Sequence, residues 1–155
     1  MIHGLKGRLT RDEIAKADLR KGRLLFQDIC AKCHTLYGEG AKIGPDLTGS
    51  GRANLDYLLE NIVEPSAVVS AEYRLSEVTM KDGRELAGIV KARTGRTLTL
   101  RTLTDEQTVE LREVVNEGVS TLSMMPEGLL LPLQPEQVRD LIAYLRHPVQ
   151  VPLPK

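Results

Sequence analysis

The sequence predicts a mainly α protein, a helical core interrupted by a small four-stranded antiparallel β insertion between its second helix and a late methionine-bearing loop. Three observations carry this expectation. Three segments repeat apolar residues at the i, i+3, i+4, i+7 spacing of an amphipathic helix. Between residues 73 and 115 the chain changes to short runs of Val, Ile, Leu and Thr separated by turn sequences. The 155 residues include no Trp, one Phe and four Tyr, although aromatics normally supply much of a core's buried area. A large flat group other than a side chain would fill that space.

Residues 1–17 form an N-terminal segment. Gly4 and Gly7 disfavour regular structure there, and Thr10 with Glu13 makes a capping box for a short turn. The core occupies residues 18–146. Its first helix begins at Asp18 as N-cap and lays Gly22, Leu25, Phe26 and Ile29 on one face. From residue 35 to 52, six Gly and Pro residues oppose any regular element, and a loop of that length in a compact domain is usually functional. Asn54 caps a second helix with Leu55, Leu58, Leu59 and Ile62 on one face. The β insertion, residues 73–115, reads as a four-stranded meander whose best hairpin signal is Asp82-Gly83. A phase change between Leu75 and Val78 marks a bulge near Ser76. The last helix starts with Pro135 at its first position and carries Val138, Leu141, Ile142 and Leu145. Residues 147–155 form a C-terminal tail.

Composition excludes several function classes. Lys plus Arg and Asp plus Glu number 21 each, so no basic surplus exists to hold nucleic acid or an anionic membrane. No apolar run approaches the roughly 20 residues that cross a bilayer, so this chain is not expected to insert into a membrane, and the first ten residues lack the apolar stretch of a secretion leader. The two cysteines lie three residues apart and form no disulfide framework.

Those cysteines stand in Cys30-Ala31-Lys32-Cys33-His34, the C-x-x-C-H attachment signature of c-type haem. One helical turn brings two thiols to the two vinyl groups of one haem, and the next residue places an imidazole beneath the iron, making His34 the proximal ligand. Two other readings compete. A zinc site would have to recruit His34, next to Cys33, and His3 or His147 from the chain ends. A thioredoxin-like dithiol expects its C-x-x-C after a strand, whereas this one comes after a helix. For a sixth ligand the candidates are Met1 at the terminus, Met80 at a strand end, and the Met124-Met125-Pro126 loop.

The series Gly22 and Phe26, then Cys30-x-x-Cys33-His34, then Gly44-Pro45-Asp46-Leu47, then Met125-Pro126, then Asp140-Leu141-Ile142-Ala143-Tyr144-Leu145 resembles a class I c-type cytochrome. It is closest to the haem-binding domain of planctomycete and verrucomicrobial type found at the C-terminus of predicted membrane-bound dehydrogenases. The resemblance implies a cytochrome c-like helical core in which Gly22 and Phe26 cross Tyr144. It implies one haem c attached through Cys30 and Cys33, with His34 and Met125 as iron ligands. The Pro45 carbonyl would accept from the His34 ring, and Arg52 would either pair with a haem propionate or be a solvated loop arginine.

The implied function is an electron carrier rather than an enzyme, passing single electrons from a redox partner or fused dehydrogenase domain to a downstream acceptor. The alternatives are a ligand-binding or peroxidatic haem with a labile Met, and an interaction module built on the β insertion. Haem attachment to this motif implies a periplasmic or otherwise extracytoplasmic location. The edge strands of an open meander make a homodimer through the insertion a further expectation.

Overall fold

The computed structural model describes residues 1–155, which divide into two compact units, Met1–Pro65 with Glu127–Lys155, and Ser66–Pro126.

The first unit is helical. Helices α1 (Ile2–Arg8), α2 (Arg11–Ala15), α3 (Leu19–Leu25) and α4 (Leu55–Val63) succeed one another along the chain, with a two-stranded hairpin of β1 (Thr35–Leu36) and β2 (Glu39–Gly40) after α3. The short α5 (Pro65–Val68) begins at the last residue before the sheet unit and lies mostly in that unit, and α6 (Pro135–Arg146) returns to the helical one. Their starts are set by side chains that satisfy the orphan N–H groups of a first turn. Thr10 Oγ1 accepts from the Glu13 amide at 3.3 Å, Asp18 Oδ1 from Arg20 and Lys21, and Asn54 Oδ1 from Asp56 and Tyr57. Pro135 opens α6, and the Gln134 amide donates to Gln137 Oε1 at 2.9 Å.

The core of this unit is the crossing of α3 and α6. Phe26, Leu141, Ile142, Tyr144 and Leu145 are buried there, and the Phe26 and Tyr144 rings lie 5.8 Å apart at a tilt of 54°. Gly22 is what lets the helices approach. A methyl group on it would collide with the Asp140 carbonyl and come within 2.7 Å of Tyr144 Cβ. The crossing is fastened at its edge by the buried Asp140 carboxylate, which accepts from the Asp18 amide at 3.0 Å and from Arg139.

The second unit is a five-stranded antiparallel sheet. It comprises β3 (Arg74–Met80), β4 (Glu85–Arg93), β5 (Thr97–Arg101), β6 (Glu106–Glu110) and β7 (Val114–Ser123), in the order β6-β5-β4-β3-β7. Val78, Met80, Leu98, Leu100 and Val109 form its core. The turn between β3 and β4 holds Gly83 at φ +87°, and the register of β3 on β7 shifts between Arg74 and Ser76, where the apolar phase of the sequence changes.

The mainly α expectation is therefore wrong. The chain is 35% helical and 26% strand, and its β part is a full five-stranded sheet rather than a small four-stranded insertion. The strand absent from the sequence reading is β7. Its side chains are exposed or half-buried along all ten residues, so it has no alternation of apolar and polar positions, and Asn116-Glu117-Gly118 resembles a turn. The β1–β2 hairpin is hidden for a related reason: two-residue strands amid glycines have no period to detect.

Candidate haem-attachment site

The cysteine motif sits where α3 ends. The helix does not stop there but widens into a π turn, Phe26–Cys30, closed by the Ala31 amide on the Phe26 carbonyl at 2.8 Å. Such turns accommodate an extra residue and re-aim the side chains beyond it. The Cys33 and His34 amides both donate to the Cys30 carbonyl, at 3.1 and 2.9 Å, so the motif is one continuous tight turn. Both thiols are free and half-buried. Burial, with Cys33 beside it, pushes the Cys30 thiol up to about 12. A neutral buried thiol of that kind is the opposite of the activated thiolate that disulfide exchange requires.

The loop after His34 folds back beneath its ring. The Gly44 amide donates to the Cys33 carbonyl at 2.7 Å, the Leu47 amide to the Thr35 carbonyl at 2.8 Å, and Thr35 Oγ1 to the Ala41 carbonyl at 3.0 Å. These bonds place His34 Nδ1 2.8 Å from the Pro45 carbonyl oxygen. A carbonyl can only accept, so Nδ1 carries the proton and Nε2 presents a lone pair, which is the tautomer a metal-binding imidazole needs. Gly44 lies against the same ring, and a Cβ there would stand 2.7 Å from His34 Cε1. Asp46 stiffens the loop by accepting from the Thr48 amide at 2.9 Å, and the Thr48 hydroxyl together with this bond holds its carboxyl below the usual range.

This donor set fits haem c: two free thiols one turn apart, an imidazole with its distal nitrogen available, and a glycine cradle under the ring. It does not fit zinc, because no group of three or more His, Cys, Asp or Glu side chains is placed to hold a metal ion. His147 is turned to its own segment, with Nδ1 2.6 Å from the Val149 carbonyl.

Of the other sequence candidates, Met80 is 4% exposed in the sheet core, a packing residue. Met125 is half-buried two residues beyond β7, its amide donating to Ser123 Oγ at 3.1 Å, and it belongs to the sheet unit while Cys30, Cys33, His34, Pro45 and Arg52 belong to the helical unit. Arg52 is not a solvated loop residue. It is buried, its guanidinium donating to the Leu145 and His147 carbonyls at 2.7 and 2.6 Å and to the Thr48 carbonyl at 3.3 Å, with the Tyr37 ring 4.9 Å from its central carbon. Sequence reasoning misses Tyr37, since a lone tyrosine in a glycine-rich loop carries no pattern.

Comparison with known proteins agrees with this geometry. The cytochrome c family model matches residues 19–148, nearly the whole chain, and the chain belongs to that family. Among curated proteins it is similar to the cytochromes c of Cochliobolus lunatus, Arabidopsis thaliana and Stellaria longipes. Each is 57% identical over 35 residues, 22% of this chain and 31–32% of the relative. The matched segment thus spans about a third of the length of those relatives. Membership supports a haem-binding electron-carrier domain and implies covalently attached haem c.

Proposed function

We propose that the chain is a mono-haem carrier of single electrons, accepting them from a dehydrogenase and releasing them to a downstream acceptor outside the cytoplasm. Cys30 and Cys33 would anchor the haem, and His34 and Met125 would hold its iron. Bound haem supplies one reversible electron per iron between the ferric and ferrous states. The residues of this chain do the rest. The Pro45 carbonyl fixes the His34 tautomer and raises its basicity, Gly44 leaves the ring room to lie flat, and the π turn presents both thiols from one backbone turn. The observation that carries the reading is the His34 Nδ1 to Pro45 contact, which leaves Nε2 free to bind a metal. An anaerobic redox titration of the purified protein tests it. A single transition with one-electron slope supports the carrier, and a colourless protein or a two-electron slope overturns it.

A second reading, a ligand-binding or peroxidatic haem with a labile Met, is favoured by one observation: His34 and Met125, the residues proposed to hold the iron, belong to different compact units. Carbon monoxide discriminates. Tight binding to the reduced protein favours the labile site, and refusal favours the closed carrier.

The order of the motifs from Gly22 and Phe26 to Asp140-Leu141-Ile142-Ala143-Tyr144-Leu145 is the ground on which we propose the planctomycete and verrucomicrobial subtype, and with it a fused or partner dehydrogenase. We further propose that β7 pairs with β7 of a second copy. It is a ten-residue edge with Val115, Val119 and Leu122 exposed and Glu117 its one charge, already paired with Arg93, so no like charges meet unless Glu117 faces its own copy. The opposite edge, β6, is five residues long with glutamates at both ends.

A further inference from the structure

The hairpin after His34 is bolted to the segment after α6. Tyr37, between β1 and β2, donates its hydroxyl to the His147 carbonyl. Arg52 lies over the Tyr37 ring and donates to that same carbonyl and to Leu145. The Leu145 carbonyl lies in the last turn of α6, where it has no partner within the helix, and His147 follows the helix directly at the negative end of its dipole, so a buried guanidinium is well placed there. Glu39, on β2, pairs with Arg23 of α3, and the other arm of Arg23 reaches the Val151 carbonyl at 2.5 Å. Gln150 Oε1 accepts from both the Tyr144 hydroxyl at 2.9 Å and the Val151 amide at 3.0 Å. Residues 147–151 are thereby tied to α3, α6, the hairpin and the loop carrying Arg52.

Tyr37 also has φ +52°, the one non-glycine residue of the chain in the left-handed region. A side chain held there is disfavoured unless its surroundings over-determine it. The next residue, Gly38, shares the positive φ at +81° and has open space around it, so steric crowding does not impose the turn. The contacts that hold Tyr37 are its hydroxyl bond, the Arg52 cation over its face, and its amide on Thr48 Oγ1 at 3.0 Å.

We propose that residues 147–151 are a strap that positions the proximal histidine, acting through Tyr37 as its positioning residue. The path is short. The strap fixes Tyr37, Tyr37 fixes the hairpin in which Thr35 pairs with Gly40, and that hairpin sets the Ala41 amide on the Ala31 carbonyl and Thr35 on both Ala41 and Leu47. Those bonds carry the Gly44-Pro45 segment that orients the His34 ring. The inference rests on the haem reading for its consequence but not for its geometry.

The test uses the holoprotein with Tyr37→Phe, which removes the hydroxyl and keeps the ring, and a second variant, Arg23→Met, which cuts a further attachment of the tail, at Val151. Hydrogen exchange of the 35–44 amides should accelerate about five-fold or more in Tyr37→Phe, as loss of one part-buried bond implies, with the α3–α6 amides unchanged. The paramagnetically shifted His34 ring resonances and the reduction potential should move in both variants. If exchange, resonances and potential all match wild type in both variants, the strap is overturned. If wild type itself carries no haem, the haem reading fails instead, and exchange of residues 35–44 still decides the strap.

Discussion

The Ser123 amide donates to the Ser66 hydroxyl at 3.1 Å, joining residues 57 apart in sequence. These two residues stand at the entry and exit of the sheet unit, so its ends are adjacent. Adjacent ends are what allow a whole sheet to be inserted in one loop of a helical unit without spreading that loop's ends. Ser66→Ala should therefore lower the unfolding free energy by about 1 kcal/mol, read from the denaturant midpoint, while leaving the haem spectrum of the oxidised protein in place. An unchanged midpoint would remove the clasp.

The imidazole cradle gives a sharper test. Gly44→Ala places a methyl 2.7 Å from His34 Cε1 and 2.9 Å from Nδ1, and the ring must tilt off the Pro45 carbonyl. Overpacking of this kind costs about 1–3 kcal/mol. The variant should show lower haem incorporation and a lower melting temperature, with part of the low-spin spectrum lost. A wild-type spectrum and melt would mean the loop yields freely and the cradle is not a constraint.

Much of the helical unit is legible in the sequence because its signals are local. Asp18, Asn54 and Thr10 cap as their side chains require, and Gly22 opposite Tyr144 is what the resemblance to c-type cytochromes implies. The C-x-x-C-H string is legible because covalent chemistry fixes its spacing. The features that escape the sequence are set by tertiary context. The exposed edge strand β7 buries no face and so leaves no period, and the π turn at Phe26–Cys30 differs from an α turn by one hydrogen bond. The burial of Arg52 depends on carbonyls some 93 residues away, which no local pattern encodes.

The distal ligand divides two adjacent methionines. Pro126 restricts the backbone before it to extended conformations, which gives Met125 a fixed presentation that Met124 does not share. Met125→Ala should abolish the sulfur-to-iron charge-transfer band of the oxidised protein, lower the potential and open the iron to carbon monoxide, whereas Met124→Ala should leave all three nearly as in wild type. The reverse pattern would assign the iron to Met124.

The exposed edge of β7 predicts self-association. Sedimentation velocity of wild type should show a concentration-dependent dimer, and Val119→Lys, which puts a like charge from each copy on the shared edge, should shift the population to monomer. A monomer at every concentration in wild type would contradict the pairing.

The central claim is that Cys30 and Cys33 hold one haem covalently above His34. Intact mass measurement after acid-acetone extraction tests it most directly. The account predicts a coloured protein whose mass is that of the chain plus one haem, and a chain-only mass for the Cys30→Ala, Cys33→Ala double variant. A colourless wild-type protein at the mass of the bare chain would contradict it.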